Sequence, residues 1–122
     1  MNELLLPYPV SVNNYWRKYN NIMVISKKGI EYKKYVKFMY CKIKPVNDDI
    51  KLEITILPKL TKEGIASKIL IDIDNGFKCI LDSLIGIVYY DDKQVKELHI
   101  KYGKAIKGGG TIVNYNIIRE NS

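Results

Sequence analysis

The sequence predicts an α+β fold, a single domain over residues 1–122 with a mixed, mainly antiparallel sheet and two main helices. Three observations predict it. A chain of 122 residues suits one domain and leaves no room for two ordinary ones. Apolar and polar residues alternate with period two over 50–56, 95–102 and 111–118, as half-buried strands require. Two other stretches repeat their apolar residues with helical period. An apolar fraction of 47% supplies the core and argues against disorder.

In chain order, residues 3–6 read as a short strand stopped by the extended Pro7-Tyr8-Pro9 segment. Residues 11–17 form an ordered loop or turn, Asn20-Asn21 marks a further turn, and 22–25 is a short strand. Ser26 is positioned to cap a helix over 30–43. In it Tyr32, Val36, Met39 and Ile43 share one stripe, Lys33, Lys37 and Lys44 lie on another, and Pro45 ends it. After the strand 50–56, residues 60–67 read as a loop and 68–74 as extended chain. Phe77, Ile80, Leu81 and Leu84 then follow i, i+3, i+4, i+7, a helix capped by Asp74 or Asn75 with Gly86 near its end. The strands 95–102 and 111–118 are joined as a hairpin by the glycine-rich loop 104–110. No repeat or linker interrupts the order.

Several functions are excluded. No apolar run approaches the roughly 20 residues of a membrane-spanning helix. The N-terminus has no basic start, long apolar centre or small-residue cleavage site, so a cytoplasmic location in a bacterial or phage-infected cell is expected. Cys41 and Cys79 form no metal-type pair and are expected to be core thiols. His99 is the only histidine and lies in an alternating strand, against triad chemistry and histidine zinc sites. Gly108-Gly109-Gly110 lacks the lysine and helix of a phosphate-binding loop.

Charge points the other way. Twenty Lys+Arg against 13 Asp+Glu give a net +7, typical of a protein that binds nucleic acid or another polyanion. Residues 26–44 hold seven lysines and one acid, so most of the excess comes from one helix and its approach. Lys101, Lys104 and Lys107 surround the later glycine-rich loop. With only Arg17 and Arg119 as arginines, contact is expected with phosphates and shape rather than with base edges. Tyr15 and Trp16 either stack on the nucleic acid or pack in the core.

The chemistry sits in Ile71-Asp72-Ile73-Asp74-Asn75-Gly76-Phe77-Lys78. On an extended chain residues two apart face the same way, so Asp72 and Asp74 would aim their carboxylates together. Neighbouring carboxylates repel, and a cation relieves that repulsion. Oxygen-only ligands suit Mg²⁺, with Mn²⁺ as a substitute, rather than zinc. Lys78, one helical turn beyond Asp74, could reach a phosphate in the same place. A second acidic pair, Asp91-Asp92, follows the helix and would complete a site for phosphodiester hydrolysis. The plainer alternative makes Asp74 a cap, Asp72 and Lys78 surface residues, and Asp91-Asp92 an acidic turn.

Asp72-x-Asp74-Asn75-x-x-Lys78 followed by Asp91-Asp92-x-Gln94-Val95 resembles the RusA-type Holliday-junction resolvases of phages and prophages. The opening Leu6-Pro7-Tyr8-Pro9-Val10-Ser11-Val12-Asn13-Asn14-Tyr15-Trp16 looks like the same family's N-terminal signature, and the likeness runs from about Leu4 to Ile117. It implies a RusA-like, homodimeric endodeoxyribonuclease that cuts four-way DNA junctions symmetrically with Mg²⁺, in recombination or repair. Carried over residue by residue, it makes Asp72, Asp74 and Asp92 the catalytic, metal-holding carboxylates and Lys78 the catalytic lysine, with Asp91 the second choice for the third carboxylate. The expected DNA-contacting residues are Asn13, Asn14, Arg17, Lys33, Lys37, Lys68, Lys104 and Lys107. The sequence departs from the family ahead of the first aspartate. Ile69-Leu70-Ile71 stand where arginines are common, and Lys68 is the nearest cation. Two alternatives stand beside this reading: a non-catalytic DNA-binding or packaging accessory protein, and a branched-DNA nuclease without junction preference.

Overall fold

The computed structural model describes residues 2–65, 67 and 73–118, and the side chains of these except 12, 13 and 73–75. Strand β4 (Asp49–Leu57) is its centre. Alternation puts Ile50, Leu52, Ile54 and Ile56 on one face, all buried, each worth about 1.5–3 kcal/mol relative to exposure. The same core takes Tyr32 and Val36 from helix α2 (Lys27–Met39) and Cys79 and Ile80 from helix α3 (Ile73–Ser83). Leu84, Ile87, Val88 and Tyr89, just beyond α3, belong to it too, with Leu4, Leu6, Tyr15 and Val113.

Four strands form the main sheet, in the order β1 (Asn2–Leu6), β6 (Gly110–Ile118), β4, β5 (Val95–Tyr102). β6 runs antiparallel to both its neighbours, whereas β4 and β5 are parallel. Residues 58–94, with α3 inside them, provide the long crossover that a parallel pair demands. The fold is therefore α+β with a mixed, mostly antiparallel sheet, as predicted.

The expected hairpin of the last two strands does not form, because β4 lies between them. Residues 103–109 instead cross the end of β4, a span of about 10 Å for two strand spacings. The Gly103 amide donates to the Ile56 carbonyl and the Ile106 amide to the Pro58 carbonyl. β4 wins the central place because its inner face is continuously apolar, while β5 is largely exposed and suits an edge.

The predicted loop 11–17 contains a helical turn, α1 (Val12–Tyr15), leading into strand β2 (Trp16–Tyr19). β2 pairs with β3 (Ile22–Ile25) through Asn20 and Asn21, whose φ angles of 48° and 65° fit the tight turn that asparagine tolerates. Helix α2 begins at the predicted Ser26 cap, whose hydroxyl oxygen accepts from the Gly29 amide. It ends at Met39, well before Pro45, so Met39 is exposed rather than in the core stripe and Ile43 packs on the core from outside the helix. Cys79 is the expected core thiol, but Cys41 follows the helix end and is exposed. Asp74 and Asn75 fall inside α3 and do not cap it. Helical geometry at Asp74 removes the extended-chain reason for pairing it with Asp72. Of the predicted extended stretch 68–74, residues 68–72 lie outside the described residues. Among those described, no helix is long and apolar enough to cross a membrane.

Candidate active site

Helix α3 carries Asp74, Lys78 and Asp82 at successive turns, so these three positions share one stripe. The Lys78 ammonium pairs with Asp82 Oδ1 at 3.2 Å and stands 5.9 Å from the centroid of the Trp16 ring. Asp82 Oδ2 accepts a 2.7 Å hydrogen bond from the Tyr15 hydroxyl. The two sides differ in exposure: the Lys78 side chain keeps 35% of its surface in solvent and Asp82 only 12%. The ammonium is thus held at one end by a largely buried carboxylate and remains accessible at the other.

Sequence reasoning passed over Asp82. Its signal was an acid between Leu81 and Leu84 on an otherwise apolar helix face. Neither the helix dipole nor pair order favours it, since an acid in a last turn and a lysine four residues ahead are both the weaker arrangement. Its partners explain it instead. Tyr15 is fully buried, and burial first, the Asp82 hydrogen bond second, raise its hydroxyl above the ordinary tyrosine range.

Tyr15 is itself fixed from three sides. Its ring meets Trp16 edge-on at 5.2 Å between centroids. Its full burial resolves the choice between stacking and core packing toward packing for Tyr15, while Trp16 stays half-buried. Its carbonyl accepts from the Ser26 amide, and the Ser26 hydroxyl donates to the Asn14 carbonyl. Gly29 permits the approach: a Cβ there would lie 2.9 Å from Tyr15 Cδ1 and 2.8 Å from Ile25 Cγ2. The Pro7-Tyr8-Pro9 segment is pinned alongside. Tyr32 and Thr111 both donate to the Pro7 carbonyl, and the Val10 amide donates to Cys79 Sγ at 3.1 Å. Burial pushes the Cys79 thiol up to about 12, so it is no nucleophile at neutral pH.

The second acidic pair divides its labour. Asp91 caps the short 3₁₀ turn Asp92–Gln94, accepting from the Lys93 amide at 2.9 Å. That bond is the main reason its carboxyl lies below the ordinary range. Gln94 accepts from the Tyr90 and Asp91 amides and donates to the carbonyls of Val46 and Asp48, locking the loop to the start of β4. Asp92 has no capping duty. The Tyr89 hydroxyl, which donates to the Leu81 carbonyl, is raised by burial and then by the charges of Asp92 and Asp82. Tyr89 thereby ties the chain just before the Asp91-Asp92 pair to α3 at the residue before Asp82.

Among the described residues no three candidate ligands gather into a metal cluster. Asp72 and Lys68 lie outside those residues, and Asp74 and Asn13 are described by backbone only, in α3 and α1. The remaining predicted DNA contacts are dispersed. Asn14 is exposed in α1 with its amide on the Ser11 hydroxyl. Arg17 lies on β2 with its guanidinium 5.3 Å from the Tyr19 ring centroid. Lys33 and Lys37 ride on α2, half-buried and exposed respectively, and Lys104 and Lys107 are exposed in the loop that crosses β4.

Residues 7–114 match the family described as Endodeoxyribonuclease RusA. The chain is also 32% identical over 120 residues to the crossover junction endodeoxyribonuclease rusA of Enterobacteria phage HK97, an alignment covering 89% of this chain and 90% of the phage protein.

Proposed function

The chain belongs to the endodeoxyribonuclease RusA family, and from that premise we propose that it resolves four-way DNA junctions by paired phosphodiester hydrolysis. One observation carries the proposal: the family match runs over residues 7–114, most of the chain. The donor chemistry agrees. Asp72, Asp74 and Asp92 offer carboxylate oxygens only, and Asp91 is engaged as the cap of its turn, which favours Asp92 as the ligand from that pair. In this reading Asp72, Asp74 and Asp92 would hold Mg²⁺, or Mn²⁺ in its place. A bound ion of that kind supplies Lewis-acid polarisation of the scissile phosphate and acidifies water for attack.

Lys78 stands beside the phosphate, its free side neutralising the charge that grows on the phosphoryl oxygens. Aimed at developing charge, that interaction strengthens between ground and transition state and so accelerates the step. Asp82 and Trp16 restrict the ammonium to one place, which lowers the ordering cost of each turnover. The substrate is branched DNA. A homodimer fits it, since a four-way junction has two-fold symmetry and two copies present two sites to two opposed strands.

Asp72→Asn and Asp92→Asn test the assignment. Each is expected to lower junction cleavage by about 10³-fold or more while binding persists. Undiminished cleavage by either would remove that residue from the ligand set. Running four-way, three-way and linear duplex DNA in parallel at one salt concentration separates a junction resolvase from a general branched-DNA nuclease.

A further inference from the structure

A groove of about 740 Å³ lies between the 7–11 segment, the start of α2 and the chain just after β4. Tyr8, Val10, Asn14, Lys28, Lys59 and Gly108 are among its walls. Of these only Asn14 is among the DNA contacts expected from sequence. Resting on the nuclease reading above, we propose that this groove is a second DNA-contact site, in which the ammonium groups of Lys28 and Lys59 grip the phosphodiester backbone of one arm of the branched substrate.

Charge is the first reason. Among the described residues, two lysines and no carboxylate line the groove, and neither lysine is ion-paired. Lys59 is positioned by an aromatic face instead, its ammonium 4.9 Å from the Tyr8 ring centroid. Its charge is thus placed without being neutralised, as an anion-binding surface needs. The wall is also built to stay in place, since both ends of the 7–10 segment are hydrogen-bonded to the core, through Pro7 and Val10. On the other side Gly109, at φ +70°, lets the chain close in: a Cβ there would lie 2.6 Å from Tyr8 Cδ1 and 2.9 Å from Lys59 Cγ. Location is the second reason. The Val10 amide rests on Cys79, the residue after Lys78, and Asn14 adjoins Tyr15, which binds Asp82. A strand in the groove therefore runs alongside the helix that bears the candidate catalytic residues. Lys107, beside the lining residue Gly108, extends the cationic track.

The experiment compares K28A/K59A with K42A/K96A. The second pair removes the same charge from exposed sites after the far end of α2 and at the far end of β5. Affinity for a synthetic four-way junction is measured by fluorescence anisotropy in EDTA across a salt series. Each lost phosphate contact lowers the slope of log K against log salt by about 0.9. K28A/K59A is therefore expected to lose about 1.8 from the slope and to bind at least about tenfold more weakly near 100 mM salt. K42A/K96A is expected to change both much less, and charge reversal in K28E/K59E to deepen the loss. If wild type cleaves junctions in Mg²⁺ but the two double variants bind alike, the groove proposal is overturned and the nuclease reading stands. A wild-type chain that neither binds nor cleaves junction DNA overturns both.

Discussion

Truncating Asp82 to alanine removes the side chain that accepts a hydrogen bond from α1 onto α3, and its cost can be worked from the contacts. Tyr15 is fully buried, and its hydroxyl gives its 2.7 Å bond to Asp82. Without that acceptor the phenol is left unsatisfied, at about 1–3 kcal/mol. The Lys78 pair at 3.2 Å adds at most about 1 kcal/mol, because the lysine is partly exposed and screened. Asp82→Ala should therefore destabilise the chain by about 1–4 kcal/mol. At about 4 °C per kcal/mol for a domain of this size, Tm falls by roughly 4–16 °C. Asp82→Asn keeps an oxygen acceptor and should cost about 1 kcal/mol. Urea unfolding with an unchanged m-value is the assay. A cycle with Tyr15→Phe should show about 1–2 kcal/mol of coupling between the two positions. Asp82→Ala within 0.5 kcal/mol of wild type, or a cycle that closes additively, would refute the account of Asp82 as the buried acceptor that holds Lys78.

Two further expectations follow from the site. Asp91→Ala should reduce junction cleavage by less than about tenfold, because Asp91 shapes the turn, whereas Asp92→Ala should reduce it by about 10³-fold or more; equal losses in single-turnover assays would contradict the division between them. Alkaline stability reports on the core. The Cys79 thiol stands at about 12 against an ordinary 9.0, so its contribution is complete below about pH 9 and is lost as pH rises toward 12. The Tyr15, Tyr32 and Tyr89 hydroxyls are displaced in the same direction. Unfolding free energy should be level through neutral pH and decline above about pH 9, more gently in Cys79→Ala; a decline as steep in that variant would show that the thiol contributes nothing to it.

Local patterns were legible wherever the chain's own periodicity sets the structure. The strand 50–56 announced β4 within a residue at either end, because alternation on a half-buried sheet is written in consecutive side chains. Ser26 announced the start of α2 because a cap is decided by its immediate neighbours. The end of the same helix was misjudged. Met39, Tyr40 and Ile43 continue an apolar spacing, yet Tyr40 turns away to exchange hydrogen bonds with the backbone of Leu5 on β1, a partner 35 residues distant.

Composition and motif spacing thus determined five of the six strands, the two main helices, the basic character and the acidic stretches on which the proposed site rests. Only the tertiary structure decided that β4 would separate the last two strands, that Asp91 would cap its own turn, that Asp82 would join Tyr15 to Lys78, and that Lys28 and Lys59 would face one groove. Periodicity records which face of an element is buried, since that depends on near neighbours along the chain. It does not record what the face is buried against, because that choice depends on which distant surfaces exclude water best together.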